Sequence, residues 1–375
     1  MTGRHHDSRL PDHGRFVALD SLRGVAALLV VAFHVFDGGV APGWSFARHG
    51  WVFVDFFFVL SGFVIAGAYG KKLAQGFPVM RFMVLRWGRI FPLHLAILSL
   101  YVLGEAALLI LDPGNMRAAF QGERNLRDLV LTATLTQAFI HPTPLGWNAP
   151  SWSISVEIWL YAAVAFAWRY GGRTGWPLAI AAAAAAWLLL ATDFSGWVTP
   201  LNPDLVRGVA GFGLGTACWM IWTRFARAFL QHLSAPLVSL LESACIAALV
   251  AVLALDLPIP WADLIFALTV LCFAADRGAA ARLLAKWPFF WAGVLSYSIY
   301  LGHSVVLLVL ARLQAALWPS GGLMGEAITG LAVLAGSAGL AWITWRLIEA
   351  PARNWSRRRA AALGVGAQER AAPTI

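Results

Sequence analysis

Arg23 and His34 lie inside one hydrophobic stretch that also holds Asp20, running Leu19-Asp20-Ser21-Leu22-Arg23-Gly24 and on through Val30-Val31-Ala32-Phe33-His34. An ionisable side chain at the centre of a membrane helix costs at least about 2.5–3.5 kcal/mol, so such residues are seldom kept without a task. The arginine and histidine are eleven residues apart, which on a helix is about 16 Å along the axis and close to three full turns. Both side chains therefore share a face. A guanidinium near one end of that face can hold an anion, and an imidazole near the other can take or give a proton. The layout suits chemistry threaded through a membrane.

The elements that must position this face are membrane helices. The 375-residue chain is 59% hydrophobic and 13% charged, and its apolar runs lack the polar face of soluble helices. The reading is an all-α, polytopic transmembrane bundle. Its ten spans fall at 16–36, 51–69, 89–111, 151–169, 177–192, 205–222, 235–256, 259–275, 289–312 and 325–348, each near the ~17–25 residues a crossing needs. The apolar stretch 128–140 is too short to cross and reads as a re-entrant or interfacial segment. Ten spans put both termini on one side, where twenty-one lysines and arginines fall, against six on the other. The positive-inside rule makes the richer side cytoplasmic.

The organisation is then a cytoplasmic segment over 1–15, a transmembrane unit over 16–350 and a cytoplasmic tail over 351–375, basic and without a fold of its own. The net charge of +9 fits cytoplasmic loops better than a nucleic-acid partner. The first span is too long and too charged for a cleaved signal peptide. Cys218, Cys245 and Cys272 all sit in apolar runs and suggest neither a disulfide framework nor a metal site.

With this topology each intramembrane polar residue acquires a depth. His34 near the outer end of span 1, Asp55 in span 2 and Glu157 in span 4 share one layer in the outer third of the bilayer. A carboxylate beside a histidine makes a general base, so His34, Asp55 and Glu157 are the catalytic candidates. The competing reading is that each carboxylate only pairs with a nearby cation. At the cytoplasmic boundary Arg86 and Arg89 lie three apart on one helix face, and Arg23 is a turn or two further in. Such arginines suit phosphate oxygens, or plain membrane anchoring. A phosphorylated head at one boundary and a reactive end near the other describe acyl-coenzyme A, whose acyl group His34 would pass to a hydroxyl as a base or as a transient carrier. Asp20, Ser153, Tyr297 and His303 are candidates to line the path, whereas Glu349-Ala350-Pro351 reads as a cap and anchor at the end of the last span.

These residues resemble the acyltransferase-3 family of integral membrane acyltransferases. The resemblance rests on Leu19 to Gly24 with His34, on Trp51 to Phe63, on Arg86-x-x-Arg89 with Pro92, on Pro150 to Glu157, and on Ser296-Tyr297-Ser298-Ile299-Tyr300-Leu301-x-His303. It implies a bacterial inner-membrane enzyme that moves acetyl from acetyl-CoA onto a carbohydrate hydroxyl, with no permanently bound cofactor. Arg23 and His34 would be the family's Arg-x10-His pair, and Arg86 and Arg89 its Arg-x-x-Arg pair. No extracytoplasmic esterase-like domain, which some members carry, is expected here. The competing function is a transporter or flippase of glycolipid precursors, since buried charges also mark permeation paths. Its usual inverted repeats are not visible in this sequence. The outer loop from 112 to 150 is the expected place for acceptor recognition, but its composition identifies no sugar.

Overall fold

A computed structural model of the chain describes residues 16–36, 48–111, 119–172, 174–192, 202–255, 257–317 and 323–369. These residues are overwhelmingly helical and hold no β-strand, as expected of apolar backbone that must close its hydrogen bonds without water. The helices are α1 Val17–Phe36, α2 Gly50–Ala74, α3 Val79–Leu111, the short α4 Leu126–Ala133, α5 Ser151–Tyr170, α6 Gly175–Ala191 and α7 Pro203–His232. There follow α8 Ala235–Ala254, α9 Ile259–Phe273, the short α10 Ala279–Leu284, α11 Trp287–Leu317, and α12, which runs from Leu323–Thr344 through Trp345–Glu349 into Ala350–Glu369.

Each of the ten expected spans falls on one of these helices, and seven helices are long and apolar enough to cross a membrane: α1, α2, α3, α7, α8, α11 and α12. The remaining three fall short for physical reasons. With 15 residues, α9 is about 22 Å long, and α6 has 17 residues. The 20-residue α5 carries Ser151, Ser153, Ser155, Glu157 and Arg169, trading apolarity for polar side chains, of which the three serines and Glu157 turn into the bundle.

Two expectations need correction. The third helix begins at Val79, ten residues before the expected span, and the tail read as lacking a fold is helical from Ala350 to Glu369. Hydropathy locates the apolar part of a helix but not the polar turns that continue it, and the alanines and arginines of the tail are good helix formers. The tail helix packs on α3 where Gly88 meets Ser356, a contact a Cβ at position 88 would block. The segment 1–15 lies outside the described residues. The 128–140 stretch forms α4 and a 3₁₀ turn at Gln137–Phe139 rather than a crossing. It is tied down by His94, whose Nε2 meets the Thr132 carbonyl at 2.9 Å, and by Ser155 and Trp159, which donate to the Leu135 carbonyl at 2.8 Å each.

Small residues set the closest helix contacts. Helices α1 and α11 run in the same direction, since Arg23 meets Ser296 and His34 meets His303, and α2 and α7 do likewise, since Asp55 meets Arg207 and Phe63 meets Trp219. Gly24 lies against the Ala292–Gly293 backbone, Gly62 against Phe212 and Gly215 against Val59. The start of α1 is capped by Asp276, whose carboxylate accepts from the Val17 and Ala18 N–H groups at 3.1 and 2.8 Å. Burial pushes the Asp276 carboxyl above its ordinary range, and these two bonds oppose the shift. Three helices contain a π-helical turn, Ala66–Gly70 in α2, Trp222–Ala226 in α7 and Trp345–Glu349 in α12. Such turns insert a residue into the helix and often accompany function.

Candidate active site

A cavity of about 1030 Å³ runs into the bundle between α1, α2, α3, α5, α11 and α12. One end is strongly basic: Arg23, Lys72, Arg81, Arg86, Arg89, Arg353 and Arg357 all contribute to its wall, with Asp20 as its acidic residue. The other end is formed by Ser61, Ser153, Glu157, Tyr300 and the ring of Phe57. Phe57 and Tyr300 meet edge to face at 5.4 Å between centroids.

The cations are held by different means. Arg23 donates from Nε to Ser296 Oγ at 2.9 Å and from Nη2 to the Gly293 carbonyl at 3.2 Å, and Asp20 lies 3.3 Å away, so α1 and α11 fix it between them. Arg86 stacks its guanidinium on the rings of Tyr69, Phe82 and Tyr161, with centroids 5.2, 5.6 and 5.9 Å away. Tyr69 belongs to the first π turn and lines the cavity. Arg81 lies over Phe77 at 5.1 Å. Aromatic faces hold these cations without neutralising them, and the Nε groups of Arg81 and Arg86 have no hydrogen-bond partner among the described residues. Arg89 is different. Its Nη1 lies 3.4 Å from Oε1 of Glu349, a carboxylate that also meets Arg353 at 3.6 Å and accepts from Ser298 at 2.9 Å.

At the inner end Glu157 accepts from Ser61 Oγ at 2.7 Å and from Tyr161. One turn earlier on α5, Ser153 Oγ meets the Tyr300 hydroxyl at 2.7 Å. Beyond Tyr300, outside this cavity's wall, lie the two histidines. Nδ1 of His303 contacts the Tyr300 carbonyl at 2.6 Å, and its Nε2 faces Nδ1 of His34 at 3.3 Å. The same Nδ1 of His34 contacts the Val30 carbonyl at 2.9 Å.

Asp55 lies elsewhere. It is 0% exposed and accepts two bonds from Arg207, at 2.7 Å from Nη2 and 3.2 Å from Nε. The guanidinium sits between the rings of Trp51 and Trp152, each 5.1 Å away, and Asp204 is 3.5 Å from it.

Residues 16–346 match the family model described as an acyltransferase domain. The chain belongs to the acyltransferase-3 family. This acyltransferase is 33% identical to "Protein 2 in picA locus" of Rhizobium radiobacter over 198 residues, 48% of the chain and 96% of that protein. It is 27% identical over 210 residues to the peptidoglycan O-acetyltransferase OatA of Listeria monocytogenes, covering 54% of the chain and 28% of OatA. It is 29% identical over 219 residues to the acyltransferase MdmB of Streptomyces mycarofaciens, covering 55% of the chain and 53% of MdmB. The chain thus spans about a quarter of OatA and half of MdmB. Comparison with solved structures yields no match.

Of the residues singled out in its sequence, the acyltransferase brings Asp20, Arg23, Arg86, Arg89, Ser153, Glu157 and Tyr297 to one cavity. It sets His34 and His303 side by side one layer further on. It does not bring His34, Asp55 and Glu157 together as a base and its carboxylates: Asp55 holds Arg207, Glu157 holds Ser61 and Tyr161, and His34 faces His303. Sequence reasoning missed Arg207, Tyr69, Tyr161 and the role of Glu349. An uncompensated intramembrane aspartate at 55 was the available signal for an arginine partner, but nothing in the sequence identifies which arginine.

Proposed function

We propose that this acyltransferase moves an acetyl or other short acyl group from acyl-coenzyme A to a hydroxyl of a carbohydrate or glycolipid, as an O-acyltransferase of a bacterial cytoplasmic membrane. The bundle is read as ten spans with both termini in the cytoplasm. Twenty-one basic residues against six support this orientation, as do the shared directions of α1 with α11 and of α2 with α7. The basic end of the cavity then faces the cytoplasm and His34 lies toward the outer leaflet.

The observation that carries the proposal is the cavity. Its basic mouth, where Arg81 and Arg86 are held on aromatic rings rather than by carboxylates, matches the phosphates of coenzyme A, and its depth leads the acyl end toward Ser153, Glu157 and Tyr300. Phe57 and Tyr300 have to part for the thioester to reach His34. His34 takes the proton of the acceptor hydroxyl as that oxygen bonds to the thioester carbonyl carbon. The carbon–sulfur bond then breaks, and the proton leaves with the coenzyme A thiol. Arg23, Arg86 and Arg89 hold the donor, Glu157 keeps the inner serine and tyrosine oriented, and Asp55 stabilises the bundle through Arg207. The acceptor class is supported by the peptidoglycan O-acetyltransferase among the relatives.

The test is release of free coenzyme A from acetyl-CoA by the purified protein in detergent, with His34→Ala beside the wild type. Turnover abolished by His34→Ala, with acetyl-CoA still bound, is the expected result. Absence of both turnover and acetyl-CoA binding in the wild-type protein would overturn the donor assignment.

A further inference from the structure

The two histidines define which nitrogen of His34 is reactive and what orients it. Nδ1 of His303 lies 2.6 Å from the Tyr300 carbonyl oxygen, and Nδ1 of His34 lies 2.9 Å from the Val30 carbonyl oxygen. A carbonyl only accepts, so each of these nitrogens carries the hydrogen. In a neutral pair both Nε2 atoms are then bare. His303 Nε2 presents its lone pair to the His34 Nδ1–H at 3.3 Å. The opposite tautomers would set a lone pair against an oxygen at both 2.6 and 2.9 Å, which is repulsive. Among the described residues no polar group pairs with Nε2 of His34.

Resting on the reading of His34 as the base, we infer that His303 is its positioning residue, filling the place sequence reasoning gave to a carboxylate, and that Nε2 of His34 is the atom that takes the acceptor's proton. His303 suits this by burial: it is 0% exposed, anchored through its own Nδ1, and the rings of the pair lie 4.9 Å apart. When Nε2 of His34 gains the hydroxyl proton, the ring becomes an imidazolium and its Nδ1–H bond to His303 becomes charge-assisted, hence stronger. His303 holds its own proton on the Tyr300 carbonyl throughout. The proton returns from His34 Nε2 to the departing thiolate, so both rings end as they began. A neutral partner has one advantage over a carboxylate at this depth: no second charge has to be desolvated while the site is idle.

Two variants of His303 separate positioning from packing. In glutamine the side-chain oxygen falls near the place of Nε2 and can still accept from His34, whereas leucine fills the space and cannot. With acetyl-CoA as the probe, His303→Leu should lower kcat for coenzyme A release by about 10- to 100-fold, the worth of one hydrogen bond to a charged ring. Acetyl-CoA affinity should be unchanged, and His303→Gln should recover most of the rate. Wild-type kcat in His303→Leu, with His34→Ala inactive, would overturn this inference and leave the base intact. Wild-type turnover in His34→Ala would remove the base itself. A measurement independent of turnover is the ¹⁵N spectrum of histidine-labelled protein, with His34 assigned by its loss in His34→Ala. Neutral His34 should be protonated on Nδ1, and protonation on Nε2 would refute the assignment.

Discussion

Replacing Asp55 by leucine should cost the bundle about 3 kcal/mol, and replacing Arg207 by methionine about 5 kcal/mol, while doing both should restore most of the loss. The asymmetry follows from what each variant leaves behind. Without Asp55, Arg207 keeps Asp204 at 3.5 Å and its two tryptophan faces at 5.1 Å, so its charge stays partly compensated. Without Arg207, Asp55 is a carboxylate with 0% exposure and neither of its donors at 2.7 and 3.2 Å. Asp263 acts electrostatically on the same pair, and among the described residues neither of its oxygens has a hydrogen-bond partner. At 4 Å and an effective dielectric of about 20, one ion pair amounts to about 4 kcal/mol, between the two expected losses. The double variant, Asp55→Leu with Arg207→Met, separates stability from chemistry because it strands neither partner of the pair. Unfolding by sodium dodecyl sulfate in bicelles, followed by tryptophan fluorescence, reads the stabilities, and coenzyme A release per folded molecule reads the function. A double variant that is stable but slower by more than about 100-fold, the range of a lost acid–base group, would return Asp55 to the chemistry. Single variants costing under about 1 kcal/mol would refute the buried-pair reasoning itself.

Arg86→Lys and Arg89→Lys should each raise KM for acetyl-CoA by about 10-fold with kcat nearly unchanged, because an ammonium reproduces neither a bidentate fork nor the stacking of Arg86 on Tyr69 and of Arg89 on Tyr297. Calorimetric binding of coenzyme A checks this, and wild-type affinity in both variants would exclude them from the donor site. Gly62→Ala forces a Cβ into the Phe212 backbone where α2 crosses α7 and should destabilise the bundle by about 1–3 kcal/mol in the same unfolding titration. Unchanged stability would mean that the two helices do not touch there.

The helices and the shared face of Arg23 and His34 were legible because they are local properties. Eleven residues at 100° each put both side chains toward α11, where Arg23 meets Ser296 and His34 meets His303. The partnerships were not legible, because Asp55 with Arg207, Arg89 with Glu349 and His34 with His303 join residues 152, 260 and 269 positions apart. Depth in the membrane narrows such choices to a layer. Which helices adjoin within that layer depends on small-residue contacts such as Gly24 with Gly293, whose pairing leaves no periodic trace. Glu349 was misread for a related reason: a glutamate shortly before a proline looks like a helix end, yet here a π turn carries the helix straight on.

That π turn has a bearing on how the chain tolerates length changes. A π turn is an α-helix with one residue too many, and removing one residue from Trp345–Glu349 would restore a regular helix. The gain in regularity would rotate everything after it by about 100° relative to everything before. Glu349 would then swing away from Arg89 or Arg353 would swing out of the cavity wall, whichever half of α12 kept its place. The extra residue in α12 therefore works as a phase setting, fixing the angle at which its polar half faces the bundle relative to its apolar half.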